Sequence, residues 1–464
     1  MQHRPFLLPI VTASLSSILA GQLQAQTFTT LHNFNLYTNG ANPQGSLVLS
    51  GNALYGTTVN GGSSSNGTVF AVNTDGTSFT NLHSFALGAL SLTGDYTNSG
   101  GIHPRAGLVL SSNILFGTAG LGGTNGGGTA FALNTGGSGF TTLVDFSPLT
   151  AANPYAPLAL SSNTLYGTTY ANGTVFAVYT NGTGYTNLHT FTGTSDGANP
   201  LAGLVLSGGM LYGTAYRGGT NNVGTIFAAH ADGTGYTNLH TFTGSSDGAN
   251  PQAGLVLSGN TLYGTTGYGG TWGKGAVFAV NADGTGFTNI HSFAYLASSP
   301  TNTEGANPQA SLVLSGNVLY GATVNGGSGG KGTLFAVNTD GTGFTTLYNF
   351  TGGNDGANPQ AALVLSGNSL YGTANAGGAS GNGTVFSLSF LPELKILRSG
   401  TNVILSWPTN VAGFSYSDFR LQSTANLIAS STWTNVSSPL VVVNGLNTVT
   451  NPISASQQFY RLTQ

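Results

Sequence analysis

Residues 250–293 read "NPQAGLVLSGNTLYGTTGYGGTWGKGAVFAVNADGTGFTNIHSF" and contain four short strand patterns. In chain order these are strand a (253–258), strand b (261–266), strand c (276–280) and strand d (286–293). The a–b and c–d connections are short and rich in Gly, Asn and Asp, which is typical of tight hairpin turns. Strands a and c are apolar on both faces, so the pattern predicts a four-stranded sheet that neighbours cover on both sides.

Units of this kind repeat along the chain, and each has a proline shortly before strand a: Pro43, Pro104, Pro154, Pro200, Pro251, Pro308 and Pro359. The a–b–c triple and strand d each occur seven times. However, the first strand d (27–34) has no triple before it, and the last triple (361–390) has no strand d after it. The two fragments make one complete unit if the N-terminal strand joins the last triple and covers its exposed edge.

This arithmetic predicts an all-β fold, in which residues 26–390 form a seven-bladed β-propeller that the N-terminal strand closes. An open β-solenoid or a stack of sheets is the alternative, but neither needs the unmatched first strand. The same units, with their recurring "LYGTT", "GTVFAVNTDGT" and "TNLHSF", resemble the GloVer tandem repeat of bacterial exported proteins. The resemblance covers residues 27–390 and implies a secreted or surface protein, and the family brings no catalytic residues to assign.

The two ends of the chain differ from the repeats. Residues 1–25 have a basic start, an apolar middle and a small residue at Ala25, so we expect a secretory signal peptide. The chain has no cysteine, which excludes disulfides and a lipid-modified cysteine. Short apolar–polar runs in residues 391–464 predict a small β-sandwich, similar to the fibronectin-type terminal modules of exported proteins. We therefore expect a secreted or cell-surface protein.

The charge of the chain limits its partners. Only 5% of residues are charged, against about a quarter in an ordinary protein. Residues 26–390 hold four basic and ten acidic groups, which argues against binding nucleic acid or an anionic membrane surface. After residue 25 there is no long apolar run, so we expect no membrane insertion.

The loops of a propeller divide between its two sides. The d–a and b–c loops lie on one side, here called the loop side, and the a–b and c–d turns lie on the other, the turn side. Length varies only on the loop side, so we expect function there. The b–c loops carry aromatic and basic residues, and the predicted ligand-binding set is Tyr170, Tyr216, Arg217, Tyr268, Trp272, Lys274 and Lys331. Rings beside donors are typical of sugar sites, and ordinary loop decoration is the alternative.

Four acids precede strand a in consecutive repeats, within "DGANP" or "EGANP": Asp196, Asp247, Glu304 and Asp355. An arc of oxygen ligands around one channel mouth predicts a cation or polyol site, with calcium as the candidate metal. The alternative is that each acid caps its own turn. The aspartates of the c–d turns are interpreted as turn residues alone: Asp75, Asp232, Asp283 and Asp340.

A histidine recurs in strand d of five repeats: His32, His83, His189, His240 and His291. Val144 and Tyr348 take the same place in the other two, so we expect this position to fill space between sheets rather than bind a metal. His103 stands where the other repeats have Asn before Pro, and nothing near it in the sequence suggests a catalytic triad.

These features favour a non-catalytic protein that binds a glycan, a surface polymer or a protein partner through its loop side. The alternative is a polysaccharide lyase or glycoside hydrolase at the channel mouth. Such enzymes need carboxylates in unlike environments, whereas outside the repeated turns the repeat region offers only Asp95 and Asp145. The sequence leaves open the ligand, the oligomeric state and whether the C-terminal module is an anchor.

Overall fold

The computed structural model describes residues 26–90, 96–294, 302–411, 413–427, 432–453 and 457–463. The expected signal peptide, Asp95 and residues 295–301 lie outside these ranges. Within them the chain forms strands and turns only, and no helix is long and apolar enough to cross a membrane. The chain divides into two compact units, one of residues 28–389 and one made mainly of residues 390–463.

The repeats form seven four-stranded sheets in the described part of the first unit, numbered here in chain order. Strand β1 (Gln26–Asn33) comes first and belongs to the last of them. Sheet 1 consists of β2 (Val48–Ser50), β3 (Ala53–Thr58), β4 (Thr68–Asn73) and β5 (Thr80–Ser84). The next strands are β6 (Ala89–Leu90), β7 (Tyr96–Ile102), β8 (Val109–Ser111), β9 (Ile114–Ala119), β10 (Leu121–Gly123), β11 (Thr129–Asn134) and β12 (Thr141–Asp145). Sheet 2 is β12-β11-β9-β8, and β10-β7-β6 form a separate small sheet.

Four more repeats and the last triple follow the same plan. Sheet 3 consists of β13 (Ala159–Ser161), β14 (Thr164–Thr169), β15 (Thr174–Tyr179) and β16 (Thr186–Thr190). Sheet 4 consists of β17 (Val205–Ser207), β18 (Met210–Ala215), β19 (Thr225–His230) and β20 (Tyr236–Thr241). Sheet 5 consists of β21 (Val256–Ser258), β22 (Thr261–Thr266), β23 (Ala276–Asn281) and β24 (Thr288–Ser292). Sheet 6 consists of β25 (Val313–Ser315), β26 (Val318–Thr323), β27 (Thr333–Asn338) and β28 (Thr345–Asn349). Sheet 7 holds β29 (Val364–Ser366), β30 (Ser369–Ala374) and β31 (Thr384–Phe390).

The N-terminal strand completes sheet 7. The strand order there is β1-β31-β30-β29, so β1 is the fourth strand of the last repeat. Beside it, the Phe34 backbone N–H donates to the Gly383 carbonyl at 3.0 Å. The Ala379 backbone N–H donates to the Asn33 side-chain oxygen at 2.9 Å. The predicted pairing of the first strand with the last triple is therefore confirmed.

A glycine in each second strand makes room for the phenylalanine beside it. In sheet 5, Gly264 is paired with Phe278 of the third strand. A Cβ atom at Gly264 would lie 2.5 Å from Phe278 Cζ and 2.8 Å from Leu255 Cδ2, which is closer than real atoms approach. The recurring "YGT" of the sequence therefore allows a buried aromatic ring to lie flat on the sheet, where it joins the core.

Consecutive sheets pack on one another through apolar clusters that contain residues of both. The last and first sheets are joined in the same way, with Phe34 of the last repeat packed against Leu54 and Phe70 of sheet 1. Phe28 of β1 stacks on Tyr348 of sheet 6, with ring centroids 4.0 Å apart. Contacts between neighbouring sheets therefore run from sheet 1 to sheet 7 and back to sheet 1.

The second unit contains two further sheets and a short hairpin. Its strands are β32 (Lys395–Ser399), β33 (Asn402–Pro408), β34 (Asn410–Val411), β35 (Phe414–Ser415), β36 (Arg420–Thr424), β37 (Thr434–Asn435), β38 (Leu440–Val443), β39 (Leu446–Pro452) and β40 (Phe459–Thr463). The sheets are β32-β33-β39-β38 and β37-β36-β40, and β34 pairs with β35. Trp407, Tyr416 and Leu405 are buried in this unit. That it forms a fibronectin-type sandwich stays a prediction.

Candidate functional site

The d–a and b–c loops of each repeat lie together on the loop side, as expected. In sheet 5 an isolated bridge joins Ala249 of the d–a loop to Tyr268 of the b–c loop. The long d–a loop before sheet 2 supplies β6 and β7, and the b–c loop of sheet 2 supplies β10; together they form the separate three-stranded sheet. The loops that vary in length are therefore neighbours, and each repeat presents them as a pair.

The residue before the repeat's proline has a left-handed backbone in every repeat. The φ angles there lie between 52° and 58°, at Asn42, His103, Asn153, Asn199, Asn250, Asn307 and Asn358. Asparagine is among the few residues other than glycine that adopt this conformation readily.

Asn250 shows how this residue joins two repeats. Its backbone N–H donates to the Val223 carbonyl at 2.6 Å, and its side chain donates to the Tyr216 carbonyl at 3.0 Å. Both acceptors are in the b–c loop of the preceding repeat. Its own carbonyl accepts from the Gly267 N–H at 3.2 Å, in the b–c loop of the same repeat. One residue thus connects three segments, which fixes neighbouring sheets relative to each other.

Asn42 makes the corresponding contacts with the last repeat. Its backbone N–H donates to the Asn382 carbonyl at 2.8 Å, and its side chain donates to the Asn375 carbonyl at 3.1 Å. His103 replaces the asparagine in the second repeat, with its Nδ1 atom 2.8 Å from the Val59 carbonyl oxygen. His103 is therefore a structural substitute for asparagine at this joint.

The four acids before strand a are bonded within their own loops. Asp247 accepts hydrogen bonds from the Thr243 backbone N–H at 2.8 Å and from His240 Nε2 at 3.2 Å, and also from the Thr243 hydroxyl. Asp196 has the same three contacts. Asp355 accepts a hydrogen bond from the Tyr348 hydroxyl at 3.1 Å, where the other two aspartates have a histidine. Glu304 differs, because it accepts from Ala294 N–H at 3.2 Å and its carboxylate lies 3.3 Å from His291 Nε2.

The structure does not bring these acids together. Within the described ranges no three His, Asp or Glu side chains are grouped closely enough to hold a metal ion. Each carboxylate already accepts bonds from its own turn, so the turn-capping alternative accounts for their geometry. Calcium binding at the arc stays a prediction. The pairing of each acid with the strand-d residue was not predicted from the sequence, although His189–Asp196 and His240–Asp247 share a seven-residue spacing.

The strand-d histidines pack between sheets, which confirms their predicted role. The His240 ring stacks on Phe287 of the next sheet, with centroids 3.8 Å apart and planes 7° from parallel. His32 stacks on Phe79 in the same way at 3.6 Å. Burial lowers the pKa of His32 to about 4 and also lowers the pKa of His240, against the opposing effect of Asp247. These rings are therefore neutral at pH 7.

The aromatic residues of the predicted binding set are spread over several b–c loops. Tyr268 and Trp272 are 44% and 56% exposed, which leaves their rings accessible to a ligand. Tyr216 lies beneath Arg217, whose guanidinium carbon is 5.7 Å from the ring centroid. The Tyr170 ring lies 5.7 Å from the ring of Tyr155, the residue that follows the proline of the third repeat.

The two lysines of that set also support the joints between repeats. The carbonyl of Lys274 accepts from the Asn307 N–H, and the carbonyl of Lys331 accepts from the Asn358 N–H, each at 2.8 Å. The Lys331 side chain is exposed, whereas Lys274 is half-buried. The backbone carbonyls of both residues therefore hold neighbouring repeats together, in addition to any role of their side chains in recognition.

A cavity of about 390 Å³ lies where the seven repeats enter their first strands. In every repeat the residue after the proline lines this cavity: Gln44, Arg105, Tyr155, Leu201, Gln252, Gln309 and Gln360. The cavity lies near the b–c loops, because two wall residues contact residues of those loops. The Tyr155 ring adjoins that of Tyr170, and the Gln44 side chain is 3.4 Å from the Asn375 side chain. No acid is present among the described residues of the wall. The volume lies in the range typical of ligand sites.

The predicted binding residues lie in the b–c loops, and none of them belongs to this wall. The residue after the proline is Gln in four repeats and Arg, Tyr or Leu in the other three. A change of chemistry at one fixed position of a repeat was therefore the available signal.

The repeat region matches a known family model. The model of the Gloeobacter/Verrucomicrobia repeat matches residues 16–174, 169–304 and 295–403. No protein of curated function matches the chain.

Three solved structures are similar to the chain at low identity. The nidogen/laminin complex is 14% identical over 65% of this chain and 93% of that chain, with a TM-score of 0.39. An extracellular domain from B. thetaiotaomicron, of a protein proposed to be a one-component system, is 12% identical over 82% of this chain and 46% of that chain, with a TM-score of 0.49. A protein from Bacteroides uniformis proposed to be a 6-phosphogluconolactonase is 15% identical over 90% of this chain and 100% of that chain, with a TM-score of 0.46.

Proposed function

Because the chain belongs to the Gloeobacter/Verrucomicrobia repeat family and its seven sheets share one cavity, we propose that it is a non-catalytic, glycan-binding propeller. In this proposal residues 26–390 form a closed seven-bladed β-propeller and the glycan binds on the loop side. Residues 1–25 are a signal peptide, residues 391–464 are a fibronectin-type module, and the protein is secreted or displayed on the cell surface.

Two observations support a closed propeller. The N-terminal strand is the fourth strand of sheet 7 and covers the edge of β31, which would otherwise be unpaired. Asn42 also bonds the last repeat through the same atoms that Asn250 uses between neighbours inside the chain. An open solenoid would leave both of these contacts unmade.

The cavity wall is the observation that carries the binding proposal. Seven repeats converge on one space and present four glutamine amides, a guanidinium and a tyrosine ring to it. Amides donate and accept hydrogen bonds at once, as sugar hydroxyls do, and an aromatic ring packs on the apolar face of a sugar. The exposed Tyr268 and Trp272 extend such a surface along the loop side for a longer polymer.

The enzyme alternative lacks its central requirement in the cavity. A glycoside hydrolase needs two carboxyl groups across one sugar bond, and a lyase needs a base beside its substrate. The described wall has no acid and no histidine. Asp145 is bonded to the Thr124 and Asn125 backbone N–H groups at 2.9 and 3.2 Å, which fits a structural role in its b–c loop.

A glycan array tests this proposal. We expect the wild-type chain to bind one class of glycan and the Gln252→Ala/Gln309→Ala variant to bind it about tenfold more weakly, because two hydrogen bonds are lost. The matched control is Asp283→Asn/Asp340→Asn, which changes the turn side and should leave binding unchanged. A Tyr268→Ala/Trp272→Ala variant tests the b–c loops in the same assay.

The outcomes separate the alternatives. Loss of binding only in the Tyr268/Trp272 variant would move the site from the cavity to the b–c loops. A folded wild-type chain that binds no glycan, but captures a protein or another surface polymer, would overturn the glycan proposal. Turnover of a polysaccharide would support the enzyme instead.

A further inference from the structure

The cavity wall has two chemically different halves. Following the contacts between sheets, repeats 5, 6, 7 and 1 are consecutive, and they supply Gln252, Gln309, Gln360 and Gln44. Repeats 2, 3 and 4 are also consecutive, and they supply Arg105, Tyr155 and Leu201. One half is therefore neutral and amide-rich, whereas the other combines one cation with an aromatic and an apolar side chain.

Arg105 and Tyr155 form a defined pair in the second half. The guanidinium carbon of Arg105 lies 4.9 Å from the centroid of the Tyr155 ring, which is a cation–π distance. Gly120 lies against that ring, since a Cβ atom there would be only 2.5 Å from Tyr155 Cε1. The tyrosine ring is therefore held between Gly120, Tyr170 and Arg105, and the pair has a fixed orientation.

Arg105 has no acidic partner in the described part of the chain. The ion pairs found there all join a histidine to an acid: His189–Asp196, His240–Asp247 and His291–Glu304. The repeat region has only four basic residues, and one of them stands on a wall without an acid. Its charge is therefore available to a ligand, and the tyrosine limits the directions in which its N–H groups point.

We propose that the cavity selects an acidic glycan, in which a carboxylated sugar binds between Arg105 and Tyr155. The planar guanidinium accepts a carboxylate in a two-bond geometry that an ammonium does not provide. The sugar ring packs on Tyr155 and Leu201, and its neighbouring hydroxyls bond to the glutamine half. This inference rests on the proposed glycan binding and adds the charge of the ligand and the residue that recognises it.

Calorimetric titration of the full chain tests this proposal with matched probes. The acidic probes are hexamers of galacturonic, mannuronic and glucuronic acid, and the neutral ones are their methyl esters and cellohexaose. The key variant is Arg105→Gln, because it installs the residue that four other repeats already have at this position. We expect its affinity for the preferred acid to fall by at least about tenfold, and its affinity for the methyl ester to change by less than about twofold.

Three results would overturn the inference. The first is a wild-type chain that binds a neutral glycan and no acidic one, which leaves the glycan proposal standing. The second is an equal loss of acid and ester binding in Arg105→Gln, because a charge contact affects the acid alone. The third is a preference for a sulfated hexamer over every carboxylated one. A wild-type chain that binds no sugar at all overturns both proposals together. As the folding control, the thermal unfolding midpoint of Arg105→Gln should equal that of the wild-type chain.

Discussion

The residues on the two sides of the repeat's proline differ in a way that separates stability from recognition. Before the proline, six asparagines and His103 share one left-handed conformation, and each side chain contacts a backbone carbonyl in the b–c loop of the preceding repeat. After the proline, the side chains face a common cavity and change from glutamine to arginine, tyrosine and leucine. The two positions on either side of the proline therefore differ: the first joins neighbouring repeats in a constant way, whereas the second lines the cavity and changes its chemistry from repeat to repeat.

The largest expected effect concerns the packing beneath these joints. Phe34 lies between the last and first repeats, and Phe242 holds the same place between sheets 4 and 5, with both side chains fully buried. We expect Phe34→Ala and Phe242→Ala each to lower the free energy of unfolding by about 3–5 kcal/mol, because each leaves a cavity. Guanidinium unfolding measures both. A much smaller loss in Phe34→Ala would show that the last and first repeats do not pack like internal neighbours.

A moderate effect is expected from the proline's two neighbours in one repeat. Asn250→Ala removes the bond to the Tyr216 carbonyl and places an alanine at a φ of 54°, so we expect a loss of about 1–3 kcal/mol. Gln252→Ala should cost less than about 0.5 kcal/mol, because its half-buried side chain faces the cavity. The same guanidinium titration compares them. Equal losses would remove the distinction between the two positions.

The smallest effect concerns the His32 ring, which packs between the last and first sheets, and the loss of stability as the pH falls. The folded state holds the pKa of His32 at about 4, below the ordinary 6.5, so the unfolded chain binds a proton first as the pH falls. Stability from the neutral ring is complete above pH 6.5 and is lost as the pH falls towards 4. Between pH 7 and pH 5 we expect wild type to lose about 1 kcal/mol more than His32→Phe, after allowance for partial exposure of the ring. The control variant is His230→Phe, because His230 is exposed. If wild type and His32→Phe showed the same pH dependence, burial of the His32 ring would not explain the loss of stability.

The sequence predicted the sheets because their signals are local and repeated. The hairpin turns and apolar runs of residues 250–293 recur, and counting strands was enough to pair β1 with the last triple. Strand a is shorter than expected, Val256–Ser258 instead of 253–258, and the three residues before it line the cavity.

The candidate site was less predictable, because its residues come from different repeats. Arg105 and Tyr155 are adjacent in space but lie in consecutive repeats, and each looks like ordinary variation when the repeats are aligned. The partners of the acids were predictable only in part. The bond between Thr243 and Asp247 is local and agrees with the turn-capping alternative, whereas the contact with His240 reaches back to strand d and was not predicted.

The position of β1 has a consequence for how the chain is made. Asn33 bonds to Ala379, 346 residues further along. During synthesis the first strand of the repeat region therefore emerges long before its partner exists, and sheet 7 forms last. Pairing over such a separation slows folding, and a chain interrupted anywhere in between carries an unmatched strand that is ready to pair with another molecule. A circularly permuted gene that places residues 26–34 directly after residue 390 would make this contact local, and its refolding should be faster.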